Sequence, residues 1–486
     1  MPGSIKMETR HNGQFNVISE PPLPHVLMIT FPNQGHVNLM LRLAKRVADK
    51  GILVTFTTTS DAGHQIISLF DVVPDDDGVP VGSGRLRFEF LDINWGPTIG
   101  VNLDLDERML HMNTAGPAAF ASLIKNQLRA GRPVTYIVNN PFLPWAVNVA
   151  TDLGIPCAVL WVQSCAVFST YYQYHHCLGE FPSETNHNNS VCLPGIPTMT
   201  PEEIPSFLLP SGPFKPISNA ILEQFHIIDK VSKVFVNSYT ELEPEVTAAI
   251  AKYVNLIPVG PLVEPDNESR STLRGDLIKA ADDCLEWLDT QAPKSVIYIS
   301  IGSIVSLTKE EMAMMAHELM TSGRPFLWVV RPDCRELLPQ GFLEEVKGKG
   351  MVVGWSPQNS VLNHSSVCCF LTHCGWNSTL ETLTAGVPVI AYPQWGDQVT
   401  NAKFLVDIYK VGVKLKAPVE RNALHAAIES VMDGPNAKAI KEHAAKWKEA
   451  TKMALAKGGS LDRNIQSFVD EVKKRATSGG NGHIQV

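Results

Sequence analysis

The sequence predicts an α/β protein made of two doubly wound domains that face a common cleft. Length is the first observation, because 486 residues correspond to two or three domains at about 100 to 200 residues each. Strand-like and helix-like patterns also alternate in both halves of the chain, as they do in parallel sheets covered by helices. Finally, a polar stretch with two prolines, residues 261–281, separates the two halves.

The first half opens with a strand, a turn and a helix. Residues 25–31 (HVLMITF) form an apolar run, which is typical of a strand buried on both faces of a parallel sheet. The turn that contains His36, an amphipathic helix that ends at Gly51 and a second strand (ILVTFTTTS) complete a βαβ unit. Less regular repeats of this pattern follow: strands at 86–91, 134–138, 156–161 and 234–238, helices at 105–129, 143–153 and 163–178, and loops over 179–216.

The second half repeats the alternation. It begins with the strand VIYISIGS at 296–303 and continues with a helix at 308–321, strands at 326–330, 351–353, 367–372 and 387–392, and a helix from residue 376. The predicted organisation is a disordered leader (1–24), an N-terminal domain (25–260), a linker (261–281) and a C-terminal domain (282–460). Residues 461–486 are predicted as a helix that packs back on the first domain, followed by a disordered tail.

Composition excludes several classes of protein. The formal net charge of −8 argues against a dedicated nucleic-acid binder, which would show a strong basic excess. Because no apolar run reaches the roughly 18 residues of a membrane helix, and the N-terminus has no apolar core of a signal peptide, we expect a cytoplasmic chain without membrane insertion. The nine cysteines are scattered without a CxxC pair, which favours free thiols over a disulfide or zinc framework.

The densest cluster of polar and aromatic residues runs from Trp355 to Gln398. At its centre the strand VCCFLT leads through the turn 373–375 into a helix that begins at 376. Such a turn directs free backbone N–H groups outward and predicts an anion site, most often for phosphate. The Gly302-Ser303 pair can offer further donors from across the site. Neither glycine pattern is GxGxxG or GxxxxGK[ST], which disfavours a hydride carrier or a P-loop kinase.

This segment resembles the signature box of the plant UDP-dependent glycosyltransferases of family 1, the secondary-product glucosyltransferases. Its ends and its interior fit the pattern W-x-P-Q, H-x-x-x-x-x-F-x-T-H-C-G-W-N-S, E, G-V-P, P, D-Q. The resemblance extends over most of the chain and implies the two-domain fold called GT-B. It also implies a UDP-sugar as donor substrate and a small aromatic acceptor, with no metal or other cofactor, and we expect the chain to act as a monomer.

The resemblance assigns the residues of the box to parts of the donor. Trp355 would stack on uracil, Ser356 and Gln358 would lie near uracil and ribose, and Glu381 would accept hydrogen bonds from the ribose hydroxyls. His373, Asn377, Ser378 and, from the other turn, Ser303 would hold the diphosphate, and Trp376, which opens the helix, is a further candidate at the donor site. Asp397 and Gln398 would bind the sugar hydroxyls, and the terminal Gln favours glucose over galactose. Taken singly, each of these residues is more often structural; their joint placement favours a donor site.

His36 is the candidate general base. It follows the carboxyl end of the first strand and therefore faces the cleft, where a histidine can accept a proton from an acceptor hydroxyl at neutral pH. The resemblance implies the same role: the activated acceptor attacks C1 of the sugar from the face opposite UDP and inverts the anomeric centre. The alternative is a helix-start histidine without a catalytic role.

Asn140 departs from the family pattern. Many relatives carry an Asp that orients this histidine, in a motif like V-x-D-x-F, whereas residues 138–142 read VNNPF. We expect Asn140 to accept an N–H bond from His36 without supplying a charge, which leaves a weaker base unless another carboxylate takes the place of the missing Asp. An acceptor that is already ionised, such as an aromatic carboxylate, needs little help from a base. The run VNNPFLPW is similar to the branch that forms glucose esters of hydroxycinnamates and gallate.

Four alternatives stay open at this point. The acceptor group can be a phenol or flavonoid hydroxyl, which would give an O-glucoside, or an electron-rich phenolic ring, which would give a C-glucoside. The chain can also be a catalytically silent sugar-nucleotide binder, or an epimerase of the same architecture.

Overall fold

A computed structural model describes residues 23–68, 76–93, 105–210, 215–263 and 283–478 of the chain. The predicted leader up to residue 22, residues 264–281 of the predicted linker, and the predicted tail from residue 479 lie outside the described residues.

The first domain is an eight-stranded sheet with helices on both faces. Its strands are β1 His25–Ile29, β2 Leu53–Thr57, β3 Val79–Val81, β4 Gly84–Phe88, β5 Tyr136–Asn139, β6 Cys157–Trp161, β7 Lys233–Val236 and β8 Leu256–Pro258. They are arranged in the order β3-β4-β2-β1-β5-β6-β7-β8, and all neighbours are parallel except β3 and β4. The helices are α1 Gln34–Asp49, α2 Ser60–Ser68, α3 Leu105–Arg129, α4 Pro144–Asp152, α5 Cys165–His175, α6 Lys215–Glu223 and α7 Pro244–Ile250.

The second domain is a six-stranded parallel sheet. Its strands are β9 Val296–Ser300, β10 Phe326–Val329, β11 Gly350–Val353, β12 Val367–Thr372, β13 Val389–Ala391 and β14 Gly412–Lys414, in the order β11-β10-β9-β12-β13-β14. The helices are α8 Asp283–Asp289, α9 Lys309–Ser322, α10 Phe342–Glu345, α11 Gln358–Asn363, α12 Trp376–Ala385, α13 Gln398–Lys403, α14 Ala423–Met432, α15 Ala437–Leu455 and α16 Ser460–Thr477.

The central strand β1 shows why a continuous apolar run predicts a buried parallel strand. All five of its residues are buried. Val26 and Met28 belong to the core under one face of the sheet, whereas Leu27 and Ile29 belong to the core under the other. Because successive side chains of a strand point to opposite faces, helices on both sides require apolar residues at every position.

Three strands are absent from the sequence prediction. β3, β8 and β14 have three residues each and lie at edges of the two sheets. A segment of three residues contains too few positions to show a period of two, and an edge strand is covered by neighbours on one side only. The predicted α/β class does not depend on these strands.

Helix α16 packs on the sheet of the first domain. Phe468 is buried and lies edge-on to the rings of Tyr136 and Phe235. Two ion pairs flank this contact: Lys50 Nζ lies 2.5 Å from Asp462 Oδ1, and Lys233 pairs with Glu471. Helix α16 therefore contributes to a core of the first domain.

Within the described residues, none of the helices combines the length and the apolar character needed to cross a bilayer. All nine cysteines lie in the described part of the chain and are free thiols.

We predict that Phe468→Ala lowers the free energy of unfolding of the first domain by about 3–5 kcal/mol, because it removes a fully packed ring and leaves a cavity. The measurement is urea-induced unfolding followed by intrinsic fluorescence. Ser467→Ala, on the exposed side of the same helix, is the matched control and is expected to change stability by about 0.5 kcal/mol or less. Equal effects of the two substitutions would contradict the packing of α16.

Candidate active site

The N-termini of α1 and α12 meet at the cleft between the two domains. A Cβ atom built on Gly35, the second residue of α1, would lie 3.6 Å from Nδ2 of Asn377, the second residue of α12. Each helix follows a central strand of its own sheet, β1 and β12 respectively. The carboxyl ends of such strands are where ligands bind in doubly wound sheets.

His36 lies in the first turn of α1. The helix begins after Asn33, whose side chain accepts a hydrogen bond from the N–H of Gly35 at 3.1 Å, as expected for an N-cap. His36 as a whole residue is partly exposed, and its imidazole lies 5.0 Å, edge-on, from the ring of Phe142. Burial in the cleft lowers the pKa of His36 to about 4, although its hydrogen bond with Asn140 acts in the opposite direction. His36 is therefore neutral at pH 7.

Asn140 contacts His36, but with the opposite end of its amide from the one we expected. Nδ2 of Asn140 lies 2.9 Å from Nδ1 of His36, while Oδ1 accepts the backbone N–H of Phe142 at 3.0 Å. A backbone N–H can only donate, so this bond fixes the orientation of the amide. Asn140 therefore donates to the imidazole instead of accepting from it. The sequence identifies Asn140 as a candidate but does not determine the orientation of its side-chain amide.

The turn between β12 and α12 brings His373 against two glycines. A Cβ at Gly302 or at Gly375 would lie within 2.5 Å of Nε2 of His373, so neither position has room for a larger residue. Cys374 in this turn has a φ of 63°, and burial lowers the pKa of His373 to about 4. Nδ1 of His373 is buried and has no hydrogen-bond partner within the described residues. The neutral ring therefore retains hydrogen-bonding capacity.

Four of the predicted uridine and phosphate residues are joined by one hydrogen-bond network. Nε2 of Gln358 donates to Oε2 of Glu381 at 2.6 Å and to Oγ of Ser378 at 2.8 Å. The hydroxyl of Tyr298 lies 2.9 Å from Oγ of Ser356 and donates to Oε1 of Gln358 at 3.1 Å. Gln358 thus connects the starts of α11 and α12. Sequence reasoning missed Tyr298, because a tyrosine inside a strand pattern carries no signal of its own.

The remaining predicted residues lie around this network. Trp355 is partly exposed just before α11, Asn377 is partly exposed at the start of α12, and Ser303 is exposed after β9. None of these three residues is buried in a hydrophobic core.

Asp397 and Gln398 lie at the start of α13. Oδ2 of Asp397 accepts a hydrogen bond from Nδ2 of Asn401 at 2.8 Å. Burial raises the pKa of Asp397 to about 6, and the hydrogen bond from Asn401 acts against this rise. Oε1 of Gln398 accepts the backbone N–H groups of Gln394 and Trp395 at 3.0 and 3.4 Å. These backbone N–H groups therefore fix the orientation of the Gln398 amide, with Oε1 as the acceptor.

Trp376 joins the two domains through its side chain. Its indole is buried, and Nε1 donates to the carbonyl oxygen of Asn237, just after β7, at 2.6 Å. Nδ2 of Asn237 in turn donates to Oδ1 of Asn377 at 3.4 Å. The side chain of Trp376 is therefore an interdomain contact, which leaves its backbone N–H as the group that can face a ligand. Asn237 was not identified from the sequence, since an Asn after a strand is common in loops.

A second interdomain contact lies beside the sugar-binding candidates. The backbone of Gly396 exchanges hydrogen bonds with Ser206, whose Oγ accepts from the N–H of Gly396 at 2.7 Å. Thr400 Oγ1 donates to the carbonyl of Glu203 at 2.7 Å, and Lys403 pairs with the carboxylate of Glu203 at 3.0 Å. Residues 203–206 of the first domain therefore hold the segment that contains Asp397.

Comparison with known proteins identifies the family. Residues 278–445 match the family described as UDP-glucoronosyl and UDP-glucosyl transferase. The chain is 44% identical to gallate 1-beta-glucosyltransferase 84A24 of Punica granatum, an alignment that covers 93% of this chain and 90% of that protein. The chain belongs to the plant UDP-glucosyltransferases. This glucosyltransferase is also 42% identical to cinnamate beta-D-glucosyltransferase of Fragaria ananassa, over 94% of its own length and 84% of that protein.

Solved structures confirm the GT-B fold predicted for this glucosyltransferase. The structure of Os79 from O. sativa in complex with UDP matches with a TM-score of 0.81 and 29% identity, over 92% of this chain and 100% of that chain. The chain is accordingly a UDP-glucose-dependent glycosyltransferase.

We predict that Trp376→Phe weakens both the fold and donor binding in this glucosyltransferase. Loss of the indole N–H leaves the carbonyl of Asn237 unpaired, which costs about 1–3 kcal/mol, and loosens the N-terminus of α12. The expected result is a lower thermal midpoint together with a several-fold weaker affinity for UDP, measured by isothermal titration calorimetry.

Trp447→Phe is the matched control. It also removes an indole donor to a carbonyl, that of Tyr409 at 3.1 Å, but α15 and Tyr409 both belong to the second domain. We expect a lower thermal midpoint with UDP affinity retained. If both variants weaken UDP binding equally, the interdomain bond has no special role in donor binding.

Proposed function

We propose that this enzyme transfers glucose from UDP-glucose to the carboxylate of a small aromatic acid, a hydroxycinnamate or a benzoate, and forms a 1-O-acyl glucose ester. The proposal rests on the identity of the hydrogen-bond partner of His36. Within the described part of the chain, the group that bonds its imidazole is the amide of Asn140 and no carboxylate. An imidazolium formed by proton abstraction would lack a stabilising charge, and an ionised acceptor avoids that step. The named activities of the pomegranate and strawberry relatives support the same acceptor class.

The hydrogen-bond network around Gln358 supports a uridine site. We propose that Trp355 stacks on uracil while Ser356 and Gln358 contact uracil and ribose. Glu381 would accept hydrogen bonds from the ribose hydroxyls, since Gln358 already holds its carboxylate in place.

Neutral donors are proposed to hold the diphosphate. The N-terminus of α12 presents its backbone N–H groups with a partial positive charge, and the side chains that would add donors are His373, Asn377, Ser378 and Ser303. We propose that these amides and neutral side chains meet the negative charge of the diphosphate without a metal cofactor.

The sugar would lie between Asp397 and His36. Asp397 accepts hydrogen bonds from sugar hydroxyls, and the amide nitrogen of Gln398 donates to one, because its oxygen is held by the backbone. The acceptor oxygen near His36 attacks C1 from the face opposite UDP. The bond from C1 to the phosphate oxygen breaks in the same step, so the anomeric configuration inverts.

We also propose that the enzyme acts as a monomer in the cytoplasm. Nine free thiols are typical of a reducing compartment, which supports the cytoplasmic location.

The acceptor proposal predicts the chemistry of the product. With UDP-glucose, cinnamate and p-coumarate are expected to give glucose adducts that mild alkali hydrolyses, because the new bond is an ester. Product mass and alkaline lability provide the measurement, and simple phenols without a carboxyl group serve as matched acceptors. Efficient glucosylation of these phenols without any ester from the acids would contradict the proposal.

The raised pKa of Asp397 predicts a pH dependence of donor binding. Above pH 6 the carboxylate is ionised and accepts strong hydrogen bonds from sugar hydroxyls, whereas below pH 6 it binds a proton and becomes a weaker acceptor. His36 and His373, with pKa values of about 4, stay neutral across the same range. We expect affinity for UDP-glucose, measured calorimetrically without acceptor, to fall about tenfold from pH 7.5 to pH 5.

Asp397→Asn provides the control for this experiment. It should bind UDP-glucose more weakly than the wild type at pH 7.5 and show no change with pH in this range. A wild-type affinity that is constant between pH 5 and pH 7.5 would show that Asp397 does not contact the sugar as a carboxylate.

A further inference from the structure

The geometry around Asn140 points to a different role for His36 from that of a base: we infer that its Nε2 carries the proton and donates a hydrogen bond to the acceptor carboxylate. Asn140 is the positioning residue that sets this tautomer and, with it, the preference for ionised acceptors. The inference rests on the proposed function and deepens it.

The orientation of the Asn140 amide is fixed by its complete set of partners. Oδ1 accepts the backbone N–H of Phe142 at 3.0 Å, and Nδ2 lies 2.9 Å from Nδ1 of His36 and 3.5 Å from Oγ1 of Thr30. Rotation of the amide by half a turn would place its NH₂ group against the N–H of Phe142. Since Asn140 is fully buried, no water can compensate for that loss.

The tautomer of His36 follows from this orientation. An amide NH₂ group is only a donor, so Nδ1 of His36 must present a lone pair. A neutral imidazole carries one proton, which then resides on Nε2. Nε2 is the nitrogen on the far side of the ring from Asn140. The group offered to the acceptor is therefore an N–H and not a lone pair.

This arrangement suits a carboxylate and not a neutral phenol. When a carboxylate oxygen attacks C1 of glucose, the bond from C1 to the phosphate oxygen breaks, its electron pair leaves with UDP, and no proton has to move. One carboxylate oxygen can attack while the other accepts the hydrogen bond from Nε2. A phenol must lose its proton during the same attack, and a protonated Nε2 has no lone pair to receive it.

Two substitutions of His36 separate a donor from a base. The side chain of Gln offers an amide N–H but cannot abstract a proton, whereas Ala offers neither. With cinnamate as acceptor, we expect kcat/KM to fall by less than about tenfold in His36→Gln and by about 100-fold in His36→Ala, since one hydrogen bond to a charged group is at stake. If His36 acts as a base on cinnamate, both variants should lose about 100- to 10,000-fold.

Asn140→Asp tests the positioning role. The carboxylate would still accept the N–H of Phe142 but would also accept Nδ1–H of His36, which moves the lone pair to Nε2. The ratio of kcat/KM for 4-methylphenol to that for cinnamate is expected to rise at least about tenfold. Asn33→Asp adds the same charge at the N-cap of α1, where Asn33 bonds Gly35, and should leave this ratio unchanged.

The protonation state can also be observed directly in the wild type, so the inference remains testable if Asn140→Asp does not fold. Two-bond ¹H–¹⁵N correlation spectra of histidine-labelled enzyme distinguish a protonated from an unprotonated ring nitrogen, and His36→Gln assigns the signal. We expect an unprotonated Nδ1 and a protonated Nε2. The opposite pattern, or equal losses in the Gln and Ala variants while the wild type forms esters, would overturn the inference and leave the proposed function intact. A wild type that forms no ester from cinnamate would instead overturn the proposed function.

Discussion

The meeting of two helix N-termini across the cleft is the constraint on which the rest of the site depends. Each helix alone offers a few free N–H groups, which many proteins have. Together, with Gly35 of α1 next to Asn377 of α12, they place His36 and the first turn of α12 within one small space. A hydrophobic cluster shared by both domains and the bond between Trp376 and Asn237 maintain this approach.

The electrostatic environment where the two helix N-termini meet depends on nearby groups and not on the net charge of the protein. The protein carries a formal charge of −8 and yet belongs to a family that binds a doubly charged sugar nucleotide. Both histidines of the site are neutral at pH 7 because burial disfavours their charged forms. The groups that this part of the cleft offers to an anion are thus oriented dipoles and neutral side chains.

The fold class can be predicted from the sequence because it depends on strands that are buried over their whole length. All residues of β1 and β12 are buried, and a continuous apolar run predicts such a strand. The candidate donor residues that share one hydrogen-bond network can be proposed from the sequence for a different reason: they lie close together in one segment with a specific pattern. Tyr298 and Asn237 escape prediction because they join the site only through tertiary contacts. The orientation of Asn140 escapes it as well, since the backbone of Phe142 decides it.

The packing of α16 on the first domain has a consequence for folding during synthesis. One core of the first domain includes Leu461, Ile465, Phe468, Val469 and Val472, although these residues follow the whole second domain in the sequence. Domains generally fold as units, the N-terminal one first, as the chain is synthesised. Here the core of the first domain is complete only after the last helix has been made.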